Sequence, residues 1–591
     1  MSAPYLLAVE ELSIRIRVAH ATQLVVSGAS FAVARGETLG IVGESGSGKS
    51  LSMLSLLQLL PDSAQAQAVR ASFEQLPLLQ LSRRELESVR GRQIAFIFQD
   101  PLAALNPLRT IGAQIGEVAQ RHFGLSRAQC EQRAAELLTQ VGISDARERL
   151  RHYPHEFSGG QRQRITIAMA LAGEPQLLIA DEPTTALDVT VQAEIVKLIK
   201  AMQRDRHLTV IWVTHDLALL ARLADRVIVM HRGLVVEQAD IGTLFRAPQH
   251  PHTRELLASL RRSDPRTLPA AGAPAPPVLL EARGLGVRYQ RGGRSLQALA
   301  DIDLAIHEGE TLAVVGESGS GKSTLARALI GLVAPSEGSI WLRGESLDAR
   351  NARVPRAIRR QLQMVFQDPF SSLNPRRTVG AAIAEPLIVH RLAQGAQLKR
   401  RVSECLTLVG LDPAVAPRYP HEFSGGQRQR VCIARAIACE PNLIVADEAL
   451  SALDLTLQAQ ILALLGELKQ RYALTYLFIS HDLSVVERIS DRVAVLYLGR
   501  MVELAPTAAL YAHARHPYTR ALLAAVPVAD PEYERSHPYQ SLAGEPPSAA
   551  RPPPGCAFHS RCPRAQGRCL TERPTLTELA PGHAVACHYP H

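Results

Sequence analysis

Lysine is nearly missing from this 591-residue chain. It stands only at positions 49, 197, 200, 322, 399 and 469, so almost all of the 65 basic residues are arginine. A position that keeps lysine in such a chain is marked by that alone, because a compact, mobile ammonium does what a planar guanidinium cannot. Long apolar runs are missing too. The richest leucine stretch, residues 51–60, is broken by Ser52, Ser55 and Gln58. No run approaches the roughly 20 apolar residues of a spanning helix, which excludes a chain that builds its own membrane domain. Residues 1–16 carry Glu10 and Glu11 and have no basic flank before an apolar core, which excludes a secretory signal and points to the cytosol. That setting argues against disulfides for any of the eight cysteines. Of these, Cys130, Cys405, Cys432 and Cys439 are scattered, and Cys556, Cys562, Cys569 and Cys587 crowd the last forty residues without a single C-x2-C pair.

What is present reads as ordinary globular protein: 46% apolar and 20% charged residues, too apolar for disorder over most of its length. Length alone suggests about four domains. The formal charge of +9 admits a nucleic acid or an anionic bilayer as a neighbour, and equally a solvated arginine-rich surface.

The chain repeats itself. Residues 153–164 read YPHEFSGGQRQR, and residues 419–430 read the same twelve letters. GESGSGKS occurs at 43–50 and 316–323, and FQDP at 98–101 and 366–369. Lys322 follows Lys49 by 273 residues and His481 follows His215 by 266, so order is kept while spacing drifts slightly. That is a duplicated domain. Residues 263–278, rich in Pro and Ala, act as a semi-rigid spacer. The expected organisation is a first domain over 5–262, that spacer, a second domain over 279–527 and a tail over 528–591.

Each copy opens with a short apolar run suited to a buried strand (38–42, 311–315), a Gly-rich turn, and an apolar stretch of helical spacing. A G-x4-G-K-[ST] turn between strand and helix is a phosphate cradle. Gly43, Ser45, Gly46 and Gly48, with Gly316, Ser318, Gly319 and Gly321, let backbone N–H groups close around phosphate oxygens at a helix N-terminus. Lys49 and Lys322 bring charge to the terminal phosphates, and Ser50 and Ser323 offer a hydroxyl to Mg²⁺. Two of only six lysines fall here. Further on, apolar runs end in Asp181-Glu182 and Asp447-Glu448. The aspartates suit the metal's water shell and the glutamates suit polarising an attacking water.

With these residues in view the chain resembles the ABC-type ATPases. SGGQ, at Ser158, Gly159, Gly160 and Gln161 and again at Ser424, Gly425, Gly426 and Gln427, is similar to that family's signature, with Phe157 and Phe423 where it usually has Leu. Gln99 and Gln367 resemble the Q-loop glutamine, Asp188 and Asp454 the D-loop aspartate, and His215 and His481 the switch histidine. The resemblance implies an α/β fold of two tandem P-loop ATPase domains, each a RecA-like core with a helical subdomain. It also implies a head-to-tail pair with two composite ATP sites. One would join Lys49, Ser50, Gln99, Asp181, Glu182 and His215 to Ser424, Gly425 and Gly426. The other would join Lys322, Ser323, Gln367, Asp447, Glu448 and His481 to Ser158, Gly159 and Gly160. Glu182, His215, Glu448 and His481 are the expected catalytic residues at both.

Three differences between the copies bear on nucleotide binding. Tyr289 resembles the aromatic that stacks on adenine, and Ile16 stands in its place in the first copy. Leu51 replaces Thr324, and DEPTT becomes DEALS. The first cradle is therefore expected to bind ATP more weakly than the second.

Within the family, LNP after FQDP (105–107, 373–375), HPYTRALLAAVP at 516–527, its degraded copy at 250–260, and GCAFHSRCP in the tail are similar to oligopeptide/dipeptide permease ATPases. The resemblance implies two membrane-spanning permease subunits as partners, an extracytoplasmic binding protein acting through them, and no nucleic-acid partner. It places the chain at the cytoplasmic face of a bacterial inner membrane. The helical subdomains, residues 101–150 and 369–411, would dock on the permease. The runner-up is a soluble ABC ATPase acting on a ribosome or nucleic acid; that class carries a long, charged, helical linker, unlike the one here. For Cys556, Cys562, Cys569 and Cys587 the resemblance favours a structural [4Fe–4S] cluster over Zn²⁺.

Overall fold

The computed structural model describes all residues except 1–4, 19–20, 186, 261–275, 292–293, 348–353, 452, 541, 543 and 545. Most of the expected spacer, and the alanine that opens each D-loop, lie outside the described residues. The strand Val278–Arg291 begins at the last residue of the expected spacer.

Each half is built on a core sheet. Residues Thr38–Gly43 are buried without exception, as are Leu177–Asp181 and Thr209–Thr214. Such uniformly apolar runs suit the centre of a parallel sheet covered on both faces. The first core sheet has six strands, in spatial order 234–240, 226–231, 38–43, 209–214, 177–181 and 94–97. The strand that precedes the phosphate cradle therefore lies beside the one that precedes His215, and the acidic strand is next again. This adjacency brings the loops at the strand ends together.

A second, antiparallel sheet is led by the hairpin of Leu7–Val18 and Ala21–Val33. The helix Lys49–Leu56 sits between the sheets, and its Met53 and Leu56 share one core with Ile14 and Phe73 of the antiparallel sheet and Ile41 of the parallel one. Across the other face of the core sheet lies the helical region, with Ile111–Phe123, Arg127–Gln140 and Gly159–Leu171. Ser126 and Ser158 start two of these helices with reciprocal capping boxes to Gln129 and Gln161, each about 1 kcal/mol of local stability.

The second half repeats this plan with one addition. Its core sheet has eight strands, because Thr577–Ala580 and His583–Val585 of the tail continue it beyond Arg500–Pro506. The tail is not a separate unit. Phe558 packs against Tyr497 and Tyr518 with ring centroids 5.3 and 5.4 Å away. Glu503, fully buried, takes His583 Nε2 at 2.7 Å and the backbone N–H groups of Arg515 and His516. Among the described residues, no helix is long and apolar enough to cross a membrane.

Candidate functional site

The phosphate cradles take shape from their glycines. Gly48 and Gly321 cap their helices at φ 96° and 103°, a region that side-chain-bearing residues rarely adopt. A Cβ on Gly48 would meet Val26 Cγ2 at 2.6 Å, and one on Gly321 would meet the Ala298 carbonyl at 2.7 Å. Lys49 and Lys322 are buried, each donating back into its own loop: Lys49 Nζ to the carbonyls of Gly43 and Glu44 at 2.7 and 2.8 Å, Lys322 Nζ to those of Gly316 and Glu317 at 2.8 and 3.1 Å. Burial lowers the Lys49 pKa, against the pull of Glu182, Asp181 and Asp454.

The acidic strand ends meet the cradles directly. Ser50 Oγ donates to Asp181 Oδ1 and Ser323 Oγ to Asp447 Oδ1, both at 2.9 Å. A hydroxyl beside a carboxylate, all oxygen, fits the hard donor set that Mg²⁺ takes. Burial, aided by Glu182 and opposed by the Ser50 hydroxyl, raises Asp181 to about 6. Asp447 is raised for the same first reason. The neighbouring glutamates go the other way. Burial pushes Glu182 and Glu448 up, but the hydrogen bonds and charge of His215 and His481 outweigh it and leave both below the ordinary value. In return both histidines lie above theirs despite burial. The contacts are His215 Nδ1 to Glu182 Oε1 at 3.3 Å and His481 Nδ1 to Glu448 Oε2 at 3.6 Å. Gln99 Nε2 donates to Glu182 at 2.9 Å, and Gln367 Nε2 to Glu448 at 2.6 Å. Adjacent carboxylates with opposite shifts divide the labour: one faces the cradle serine, and the other stays ionised beside a histidine and an amide.

The two halves reach into one another. Asp188, at the start of the helix Val189–Arg206, accepts the Ser318 N–H of the opposite cradle at 2.6 Å. Asp454 caps Leu455–Tyr472 through Leu457 N–H and accepts the Ser45 N–H across the boundary at 3.4 Å. Both D-loop aspartates thus bind the other half's glycine-rich loop. Each signature segment begins a helix, with Ser158 accepting from Gln161 N–H and Ser424 from Gln427 N–H. A Cβ on Gly160 would meet Val191 at 2.8 Å, whereas Gly159 and Gly425 face open space. Tyr289 is half-exposed on its strand, and Thr324 lies in the first turn of Lys322–Leu329.

Sequence reasoning missed Arg561. This tail arginine makes a bidentate pair with Glu317, at 2.7 and 3.1 Å, inside the second cradle sequence. Its only trace in the sequence was its place in the GCAFHSRCP string.

Cys556, Cys562, Cys569 and Cys587 line one small pocket with Phe558 and His559. Burial pushes the Cys556 thiol up to about 11 and raises Cys562 and Cys587 as well. Among the described residues, no three of these sulfurs lie within 4.8 Å of one another. Four thiols around one pocket are a soft ligand set of the kind that zinc or an iron–sulfur cluster takes.

Comparison with known proteins gives the family. The profile described as "ABC transporter" matches residues 26–185 and 299–451. The one described as "Oligopeptide/dipeptide transporter, C-terminal region" matches 236–289 and 502–569. The chain is 46% identical over 570 residues to the glutathione import ATP-binding protein GsiA of Shigella sonnei (strain Ss046), covering 90% of this chain and 92% of that protein. Against GsiA of Escherichia coli (strain K12) the identity is 45% with the same coverage. Among solved structures, the dimeric post-hydrolysis state of the ATP-binding cassette MJ0796 bound to ADP and Pi is 31% identical. It matches with a TM-score of 0.36 over 39% of this chain and 99% of that one.

Proposed function

The chain belongs to the ABC transporter ATPases, in the oligopeptide/dipeptide importer branch with two ATPase domains in one chain, and from that premise we propose how it works and what it moves. It is an ATP-hydrolysing importer subunit. Two ATP molecules bind between the halves, at the composite sites set out above from Lys49 and from Lys322. The observation that carries this reading is the reciprocal crossing of Asp188 to Ser318 N–H and Asp454 to Ser45 N–H. When bound, Mg²⁺ neutralises charge on the terminal phosphates; Ser50 with Asp181 and Ser323 with Asp447 are the residues that would hold it. Glu182 and Glu448, kept ionised by their histidines, orient and polarise the attacking water. His215 and His481, half-buried beside those glutamates, would contact the terminal phosphate. The lysines exchange their loop carbonyls for phosphate oxygens, and the signature helix N-termini close each site from the opposite half.

The solute is a peptide or a relative of one, glutathione among the candidates through the GsiA proteins. Two permease subunits at the cytoplasmic face of the inner membrane receive the helical regions, where Leu102, Leu108 and Phe370 are exposed, and an extracytoplasmic binding protein delivers the solute. For the tail, four thiols lining one pocket are the ligand type that a [4Fe–4S] cluster takes; anaerobic protein without iron and without broad absorbance near ~400 nm would remove this reading.

The test of function is reconstitution with the permease pair. Solute-stimulated ATP hydrolysis is expected, and Glu182→Gln or Glu448→Gln should cut turnover about 10²–10⁴-fold while ATP still binds. Stimulation by ribosomes instead of permease would refute the importer reading.

A further inference from the structure

At the first glycine-rich loop three ligand-bearing side chains converge for no purpose that ATP chemistry supplies. Glu44, His231 and His252 each offer one ligand atom, all within 4.8 Å of one another. His231 Nδ1 lies 3.9 Å from Glu44 Oε2, and the two imidazole centroids are 3.9 Å apart. His252 is only 6% exposed. His231 Nδ1 and His252 Nε2 are both buried without a hydrogen-bond partner, a condition that buried polar atoms in folded proteins rarely show. The remaining nitrogen of His252, Nδ1, lies 4.0 Å from the exposed Glu255 carboxylate, beyond hydrogen-bond distance.

The second half shows what its own loop glutamate does instead. Tyr497 ends the strand Arg492–Tyr497 as His231 ends Arg226–His231, and Tyr518 is second in its helix as His252 is in Pro251–Leu260. There Glu317 is held by Arg561 from the tail. The first half has no such tail, and two histidines stand where the tyrosines would be.

We propose that Glu44, His231 and His252 bind a divalent transition-metal ion of the zinc class. Two imidazoles and a carboxylate suit Zn²⁺ and leave one tetrahedral position for water. Mg²⁺, which prefers oxygen ligands, does not compete. His231 and Glu44 are partly exposed, at 24% and 32%, which gives the ion a way in. The Glu44 carbonyl accepts the Lys49 ammonium at 2.8 Å, so an ion on the Glu44 side chain anchors the loop that carries Lys49. It does for the first cradle what Arg561 does for the second.

Full-length protein stripped of metal is titrated with Zn²⁺ against a chromophoric chelator, beside His231→Gln, His252→Gln and Glu255→Gln. Zinc on the tail cysteines is common to all four proteins and cancels. The wild type should take up one equivalent more than either histidine variant, with nitrogen and oxygen donors in its X-ray absorption. Glu255→Gln, whose carboxylate lies beyond hydrogen-bond reach of His252, should take up the same equivalent as the wild type. Should His252→Gln melt differently without metal, His231→Gln, at a partly exposed strand end, carries the comparison. Equal stoichiometry in wild type and variants, or sulfur donors alone, would overturn the assignment.

Discussion

Replacing Arg561 by methionine keeps most of its apolar volume and removes its charge from the second phosphate cradle. The pair it breaks is buried, with side chains 3% and 6% exposed, and bidentate, at 2.7 and 3.1 Å. Glu317 would keep the Thr190 hydroxyl, which donates from the first half at 3.0 Å, while its own N–H still donates to the Tyr518 hydroxyl at 2.9 Å. Losing one partner of a buried pair costs about 3–5 kcal/mol, chiefly because the other charge is left without compensation. A chain of two large halves does not unfold in two states, so a single melting free energy would blur this cost. Native-state hydrogen exchange of residues 316–323 and 556–569 reads it locally. The expected acceleration is about 10²- to 10⁴-fold, toward the lower figure because the tail also stays paired through His583–Val585. Glu317→Gln completes a double-mutant cycle. If the cost is the stranded carboxylate, the double variant exchanges more slowly than Arg561→Met alone. No acceleration in Arg561→Met, or strictly additive effects, would refute the view that this pair fastens the tail to the cradle.

Two further predictions concern nucleotide and proton binding. Lys49→Ala, which leaves the second cradle intact, should retain tighter ATP binding than Lys322→Ala, since the first cradle has Leu51 for Thr324 and Ile16 for Tyr289; equal residual affinities in a nucleotide titration would sink this. Asp181, raised to about 6, favours the fold in its protonated form. Its contribution is complete below about pH 4 and lost as pH rises through about 6, up to ~3 kcal/mol in all. Melting of Mg²⁺-free protein across that range should therefore be flatter in Asp181→Asn than in the wild type.

The parts of the site that were legible in the sequence are those whose chemistry is local. A glycine-rich turn between a buried strand and a helix, an apolar strand ending in Asp-Glu, and a serine three residues ahead of a glutamine at a helix start each write their geometry into a few adjacent residues. The duplication made them firmer, because each recurred at an equivalent place. How the tail joins the second half is not written in its sequence. Its strands are short and its apolar content low, and nothing in such a segment announces that it will extend another domain's sheet.

By itself, then, the sequence determined the two α/β halves, the cradle lysines, the paired acids and the amides and histidines beside them. Lysine scarcity served as a pointer because a guanidinium cannot fill that role. Only the tertiary structure decided which residues from distant segments meet. Asp188 and Asp454 cross to the opposite loops, Arg561 locks Glu317, and Glu44 gathers His231 and His252. Such contacts depend on how sheets and halves pack. Packing is set by shape and burial summed over the whole chain, and it leaves no short pattern at the residues that finally touch.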